Sequence, residues 1–199
     1  MYSAAILAGG RATRFGGRDK GALLVEGLTI RDRQLAALLA ITDDVLLVGA
    51  DATAGVRHLG ELRLVSDIVS DSGPMGGVHA ALTVARSDAV FVIACDMPYI
   101  TAPLIEYLCE LAGTADLVVP RTERGYHPLS AVYTRACLEP LARRLAARQL
   151  TMRFLLDDVR VRVVTADEIE KFGDRHRLLA NVNTPAEYAG LEALQGHKL

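Results

Sequence analysis

Short apolar-rich runs recur along this chain, at Ser3–Leu7, Val45–Val48, Leu62–Val65, Ala89–Ala94, 117–119, 129–133 and 159–164. Runs of this length with little polar alternation read as strands buried on both faces. Helical patterns separate most of them, at Ile30–Leu39, 78–86, 104–112, 137–148 and 185–194. Strand and helix in alternation predict an α/β chain, with a parallel-rich sheet that carries helices on both faces. Two helix starts are legible as capping boxes, Thr165-Ala166-Asp167-Glu168 and Thr184-Pro185-Ala186-Glu187, the second with proline at the first helical position.

At 199 residues and 51% hydrophobic, the chain suits one core, and residues 1–199 are expected to form a single domain without linker or internal repeat. The formal net charge of −2 carries no basic excess, which argues against nucleic acid as a partner. Cys95, Cys109 and Cys137 are odd in number and widely spaced, so neither a disulfide framework nor a C-x-x-C metal site is expected. Those thiols suit a reducing cytosol. The first residues lack a basic n-region, and no apolar run approaches the roughly 20 residues of a membrane span. A cytoplasmic protein with no membrane partner is the expectation.

The first apolar run leads into Ala8-Gly9-Gly10-Arg11-Ala12-Thr13-Arg14-Phe15-Gly16-Gly17-Arg18-Asp19-Lys20. Glycines let backbone N–H groups turn toward an anion, and Arg14 and Lys20 add positive charge on the same loop. A phosphate cradle is the functional reading; a glycine-rich turn with solvated basic residues is the plain one. Asp19-Lys20-Gly21 does not complete a Walker A loop, and the dinucleotide fingerprint G-x-G-x-x-G is missing.

Other candidates lie at strand ends. Asp96 follows Ala89–Ala94 and precedes Met97-Pro98, which puts a carboxylate at the carboxyl edge where α/β sheets bind ligands. Beside a triphosphate it is a natural Mg²⁺ ligand, since Mg²⁺ takes one or two carboxylates together with phosphate oxygens. The structural alternative is a helix-capping aspartate. Asp67 follows Leu62–Val65 in the same way, and Gly73-Pro74-Met75-Gly76-Gly77 then opens a helix where a flat base could approach the backbone. Asn181 and Asn183 are two apart, so in extended chain both amides share one face. No Ser, Cys or acid partner is evident for His127, so a positioning or structural role is expected of it. Residues 120–126 read as the most loop-like interior stretch.

Taken together, Leu7-Ala8-Gly9-Gly10 with Arg14, Gly16-Gly17 and Asp19-Lys20, then Gly73-Pro74-Met75-Gly76-Gly77, Cys95-Asp96-Met97-Pro98, His127-Pro128-Leu129 and Asn181-Val182-Asn183-Thr184-Pro185 resemble the molybdenum cofactor guanylyltransferase family in order and over nearly the full length. The resemblance implies a three-layer α/β/α Rossmann-like sandwich with a mostly parallel mixed sheet, like that of nucleotide-diphospho-sugar transferases. It implies GTP on Leu7, Ala8, Gly9, Gly10 and Lys20, with Asp67, Gly73 and Gly76 on the nucleotide. Mg²⁺ would lie on Asp96, and Asn181 and Asn183 near the pterin substrate. Two departures stand out: Val48-Gly49-Ala50-Asp51 lacks the asparagine some relatives carry there, and the usual Gly-Pro-Leu-Ala-Gly reads Gly-Pro-Met-Gly-Gly.

The implied reaction is attack of the molybdopterin phosphate on the α-phosphorus of GTP, with release of pyrophosphate. A phosphate nucleophile is already anionic, so alignment and charge neutralisation matter more than a general base. Lys20, Arg14 and Asp96 are the residues expected to supply them. The implied partners are GTP, molybdopterin and, transiently, cofactor-synthesis proteins or recipient molybdoenzymes. Alternatives are a cytidylyltransferase for the same cofactor, a sugar- or alditol-phosphate nucleotidyltransferase, or a nucleotide-binding module without chemistry.

Overall fold

A computed structural model describes residues 2–8, 20–49, 62–66, 69 and 71–182. The strands are β1 (Ser3–Leu7), β2 (Leu24–Val25), β3 (Leu28–Thr29), β4 (Val45–Val48), β5 (Leu62–Val65), β6 (Ala89–Ala94), β7 (Leu117–Thr122), β8 (Gly125–Tyr126), β9 (Ser130–Thr134) and β10 (Val161–Val164). The α-helices are α1 (Ile30–Leu39), α2 (Gly73–Val84), α3 (Ala102–Glu110), α4 (Leu138–Ala146), α5 (Ala166–Glu170) and α6 (Arg175–Leu178).

β1 is buried along its whole length because it runs parallel between β4 and β6. The main sheet follows the order β10-β7-β9-β6-β1-β4-β5, with β8 paired to β7, while β2 and β3 form a separate hairpin. Parallel pairs dominate around β1. β9 runs antiparallel to both of its neighbours, β6 and β7, and β10 resumes the parallel sense beside β7.

Alternating side chains of β1 serve opposite faces. Ala4 and Ile6 join the layer of Leu35 and Leu38 of α1, Leu104 and Leu108 of α3, Ile169 of α5 and Leu178 of α6. Ala5 and Leu7 join Met75, Val78 and Leu82 of α2 with Leu141 and Leu145 of α4. Helices on both faces of a mixed, mostly parallel sheet make the expected three layers. Ile6 is fully buried, and truncating it to alanine would cost about 2–5 kcal/mol.

Several expected boundaries move. The helix predicted over 78–86 begins at Gly73 and ends at Val84, because Pro74 supplies a favourable first turn that tolerates the glycines following it. The stretch 120–126 is a hairpin: β7 continues to Thr122, which pairs with Gly125, and Arg121 pairs with Tyr126. Its polar composition hid a strand that pairs at the rim without facing the core. The capping box at Thr165 and Glu168 is present in full. The helix expected over 185–194, with its capping box at Thr184, lies outside the described residues, and among those residues no helix is long and apolar enough to cross a membrane.

Candidate active site

The carboxyl ends of β1, β4, β5 and β6 are tied side by side by backbone hydrogen bonds. Ala8 N–H donates to Val48 O at 2.8 Å, Cys95 N–H to Leu7 O at 3.2 Å and Gly49 N–H to Val65 O at 2.9 Å. Gly49 adopts φ 77°, a conformation that suits glycine and allows β4 to turn away at this edge. Gly49 therefore presents backbone alone at this edge.

Into this edge come two residues far apart in sequence. Lys20 opens a short 3-10 turn, Lys20–Ala22, and its Nζ donates to Oδ2 of Asp96 at 2.9 Å. Both side chains remain partly open to solvent, at 20% and 14% exposure, so a ligand can reach the pair. Two of the residues predicted to share the phosphate site are thus brought into contact. Asp96 is held from behind, where its backbone carbonyl accepts the Val182 N–H at 2.9 Å, and exposed Asn181 is next to that bond. Leu7 and Ala8 lie at the same edge. Gly9, Gly10, Arg14, Asp67 and Asn183 lie outside the described residues.

The glycines that open α2 do structural work as well. Gly73 has φ 55° and open space where a Cβ would be. A Cβ on Gly76 would come within 2.7 Å of the Ser72 Cβ, and one on Gly77 within 3.1 Å of Leu7 Cδ2. The small residues at 76 and 77 therefore let α2 approach its own preceding loop and the end of β1.

Asp96 fits a metal that arrives with a nucleotide. Its Oδ2 accepts Lys20, while Oδ1 accepts no hydrogen bond among the described residues. Within those residues there is no group of three or more His, Cys, Asp or Glu able to hold a metal by themselves. One open carboxylate oxygen suits a Mg²⁺-like ion whose remaining ligands are phosphate and water.

His127 is fastened elsewhere. Its Nε2 shares a 2.9 Å hydrogen bond with Thr122 Oγ1, and its N–H donates to Pro120 O, clipping the β7–β8 hairpin. Burial, and then the charge of Arg124, hold its pKa below the ordinary histidine value. A neutral ring in a hairpin clip agrees with the structural role expected of it.

Two features were not anticipated from sequence. A cavity of about 420 Å³ beside the Asp96 turn is lined by Arg33, Pro98, Tyr99, Thr101, Arg177 and Leu178 among others. Glu26 lies 2.7 Å from both guanidinium groups, so their charge is already answered. The second is Gln34, fully buried on α1, whose Nε2 donates to Ala94 O at 2.7 Å and Met97 O at 3.0 Å. Ile30, Gln34 and Leu38 share one helix face, so an amide in an otherwise apolar stripe was the available signal.

Residues 4–163 match the family described as MobA-like NTP transferase domain. The chain is 36% identical over 183 residues to a probable molybdenum cofactor guanylyltransferase of Pelotomaculum thermopropionicum, covering 92% of this chain and 87% of that protein. It is 31% identical over 190 residues to a molybdenum cofactor guanylyltransferase of Desulfosudis oleivorans, covering 94% and 93% of the two chains. Among solved structures, molybdopterin-guanine dinucleotide biosynthesis protein A of Archaeoglobus fulgidus is similar with a TM-score of 0.84 at 22% identity, over 98% of this chain and 99% of that one. That likeness concerns the fold.

Proposed function

The chain belongs to the MobA-like NTP transferase family, and from that premise we propose that it transfers GMP from GTP to the phosphate of molybdopterin. An acceptor phosphate oxygen bonds to the α-phosphorus, the bond from the α-phosphorus to its bridging oxygen breaks, and pyrophosphate leaves. The observation that carries this reading is the Lys20–Asp96 contact at the carboxyl edge of β1 and β6. A cation and an open carboxylate side by side are what a triphosphate with its metal requires.

Asp96 would hold Mg²⁺, which when bound supplies charge neutralisation at the phosphates. The remaining work falls to the chain itself. Lys20 has three donors and can turn from Asp96 toward the triphosphate, where its charge offsets that of the leaving pyrophosphate. Arg14 adds to that charge in this reading. Leu7, Ala8, Gly9 and Gly10 present backbone to the nucleotide, Asp67, Gly73 and Gly76 contact it, and Asn181 and Asn183 face the pterin. Cys95, Cys109 and Cys137 form no disulfide, which suits a cytoplasmic setting.

Pyrophosphate release with GTP, molybdopterin and Mg²⁺ tests this function. Lys20→Ala and Asp96→Ala are expected to lose most of it while melting near the wild-type temperature, and near-normal release from both overturns the assignment. A thermal-shift comparison of GTP, CTP and ATP with Mg²⁺ tests the base. Stronger stabilisation by CTP would favour the cytidylyltransferase alternative.

A further inference from the structure

We propose that Gln34 is a positioning residue for Asp96, its buried side-chain amide holding the turn that aims the carboxylate. The inference rests on the functional reading above. Ala94 ends β6 and Met97 follows Asp96, so the two hydrogen bonds from Gln34 Nε2 bracket Asp96 from both sides. Both partners are carbonyl oxygens, which only the NH₂ end of the amide can satisfy, and this orients the group.

The rest of the turn is tied as well. Cys95 N–H is held by Leu7 O, and Asp96 O by Val182 N–H. α1 and β1 both hold the 94–95 peptide, the segment around Val182 holds the 96–97 peptide, and α1 also holds the 97–98 peptide. Gln34 supplies two of these anchors from one side chain. Removing them leaves the 94–95 peptide on its bond to β1 and takes from the 97–98 peptide its anchor to α1, so the turn shifts and the carboxylate at the end of its side chain swings with it.

An apolar residue at this place would take this donor from the carbonyls of Ala94 and Met97, so the amide is what sets the turn. Gln34 is fully buried, and its Oε1 finds no hydrogen-bond partner among the described residues. A buried amide with one end unsatisfied carries a desolvation cost that leucine or methionine would not. What it provides in return is geometry at the turn beside the open oxygen of Asp96.

Gln34→Met retains length and removes both donors. Mn²⁺ binding, followed directly by the loss of free-ion EPR signal with GTP present, should weaken about tenfold, with a similar fall in kcat. KM for GTP at saturating Mn²⁺ should stay within about twofold, and raising Mn²⁺ should restore part of kcat. If Gln34→Met does not fold, the isosteric Gln34→Glu, which has at most one donor, is read the same way. Wild-type Mn²⁺ affinity and kcat per folded molecule in either variant, whatever the melting temperature, overturn the inference alone. A wild-type protein that binds no Mn²⁺ with GTP overturns the functional reading and the inference with it.

Discussion

Asp96 and Asp44 stand at opposite ends of the same sheet, and they differ in how fully their oxygens are used. At the amino end, Asp44 Oδ2 accepts from Ser3 Oγ at 2.6 Å and the Arg86 N–H at 2.9 Å, while Oδ1 accepts from Arg63 Nη1 at 2.7 Å. Arg63 also donates to Val84 O at 2.9 Å, and Ser3 Oγ accepts the Ser87 N–H at 3.1 Å, so β1, β4, β5 and the end of α2 are locked together. The Asp44 side chain is only 3% exposed. Burial opposes its ionisation, yet the hydrogen bonds from Ser3, Arg86 and Arg63 outweigh that and hold its pKa below the ordinary value. At the carboxyl end Asp96 has one side-chain partner among the described residues, Lys20 on its Oδ2. A saturated carboxylate holds structure, and one left with an open oxygen can take a ligand.

The contrast can be broken most easily at Asp96. Asp96→Asn should lower pyrophosphate release on the order of 10³-fold, since it removes the charge that would hold the metal, and charge neutralisation at the phosphates is worth that much. Its melting temperature should hardly move. A variant that retained a tenth of the activity would remove the functional half of the comparison. Lys20→Met should cost on the order of 10²-fold in release, and should leave Mn²⁺ binding at saturating GTP intact or stronger, because the competing ammonium is gone. Loss of that binding would mean that the lysine helps to build the metal site.

At the other end the sign should reverse. Asp44→Ala should lower the urea-derived stability by about 2 kcal/mol, by leaving Ser3, Arg63 and the Arg86 amide without their acceptor. Release per folded molecule should remain within about twofold of wild type. Gly76→Ala should cost about 1–2 kcal/mol, because its Cβ would lie 2.7 Å from that of Ser72. If the site also needs a bare backbone there, activity will fall further than stability explains.

The smallest effect concerns a third carboxylate, beside β10 at the side of the sheet. Glu168 is hydrogen-bonded foremost by Arg162, then by the Thr165 backbone, Tyr107 and the Thr165 hydroxyl, and against the opposing effect of burial its pKa is pulled down to about 2. The folded-state value is depressed, so the stabilisation is complete above about pH 4.5 and is lost as pH falls toward 2. Solvent screening of Arg162, whose side chain is 34% exposed, reduces its worth to about 1 kcal/mol. Urea melts across that interval should show Glu168→Gln losing this acid dependence.

Much of this architecture was readable locally. The limits expected for β1, β4, β5, β6 and α1 coincide with those observed, because each is a dense apolar run or an amphipathic stripe with a clear end. The β7–β8 hairpin was not readable, since Arg121, Thr122 and Gly125 pair at the rim and bury little. Lys20 and Asp96 could each be named from strand-end position and loop chemistry. Gln34 leaves only a faint mark in the sequence, a lone amide in the stripe of Ile30 and Leu38.

The sequence by itself determined the α/β class and the strands around β1, and it singled out Lys20 and Asp96 as candidates. Hydrophobic periodicity and turn chemistry act over a few residues, so they leave their mark in the order of residues. Only the tertiary structure decided that β9 runs against its neighbours, that Lys20 meets Asp96, and that an amide on α1 grips both sides of Asp96. Those are contacts between segments up to 76 residues apart, chosen by packing and by the need of buried carbonyls for a donor.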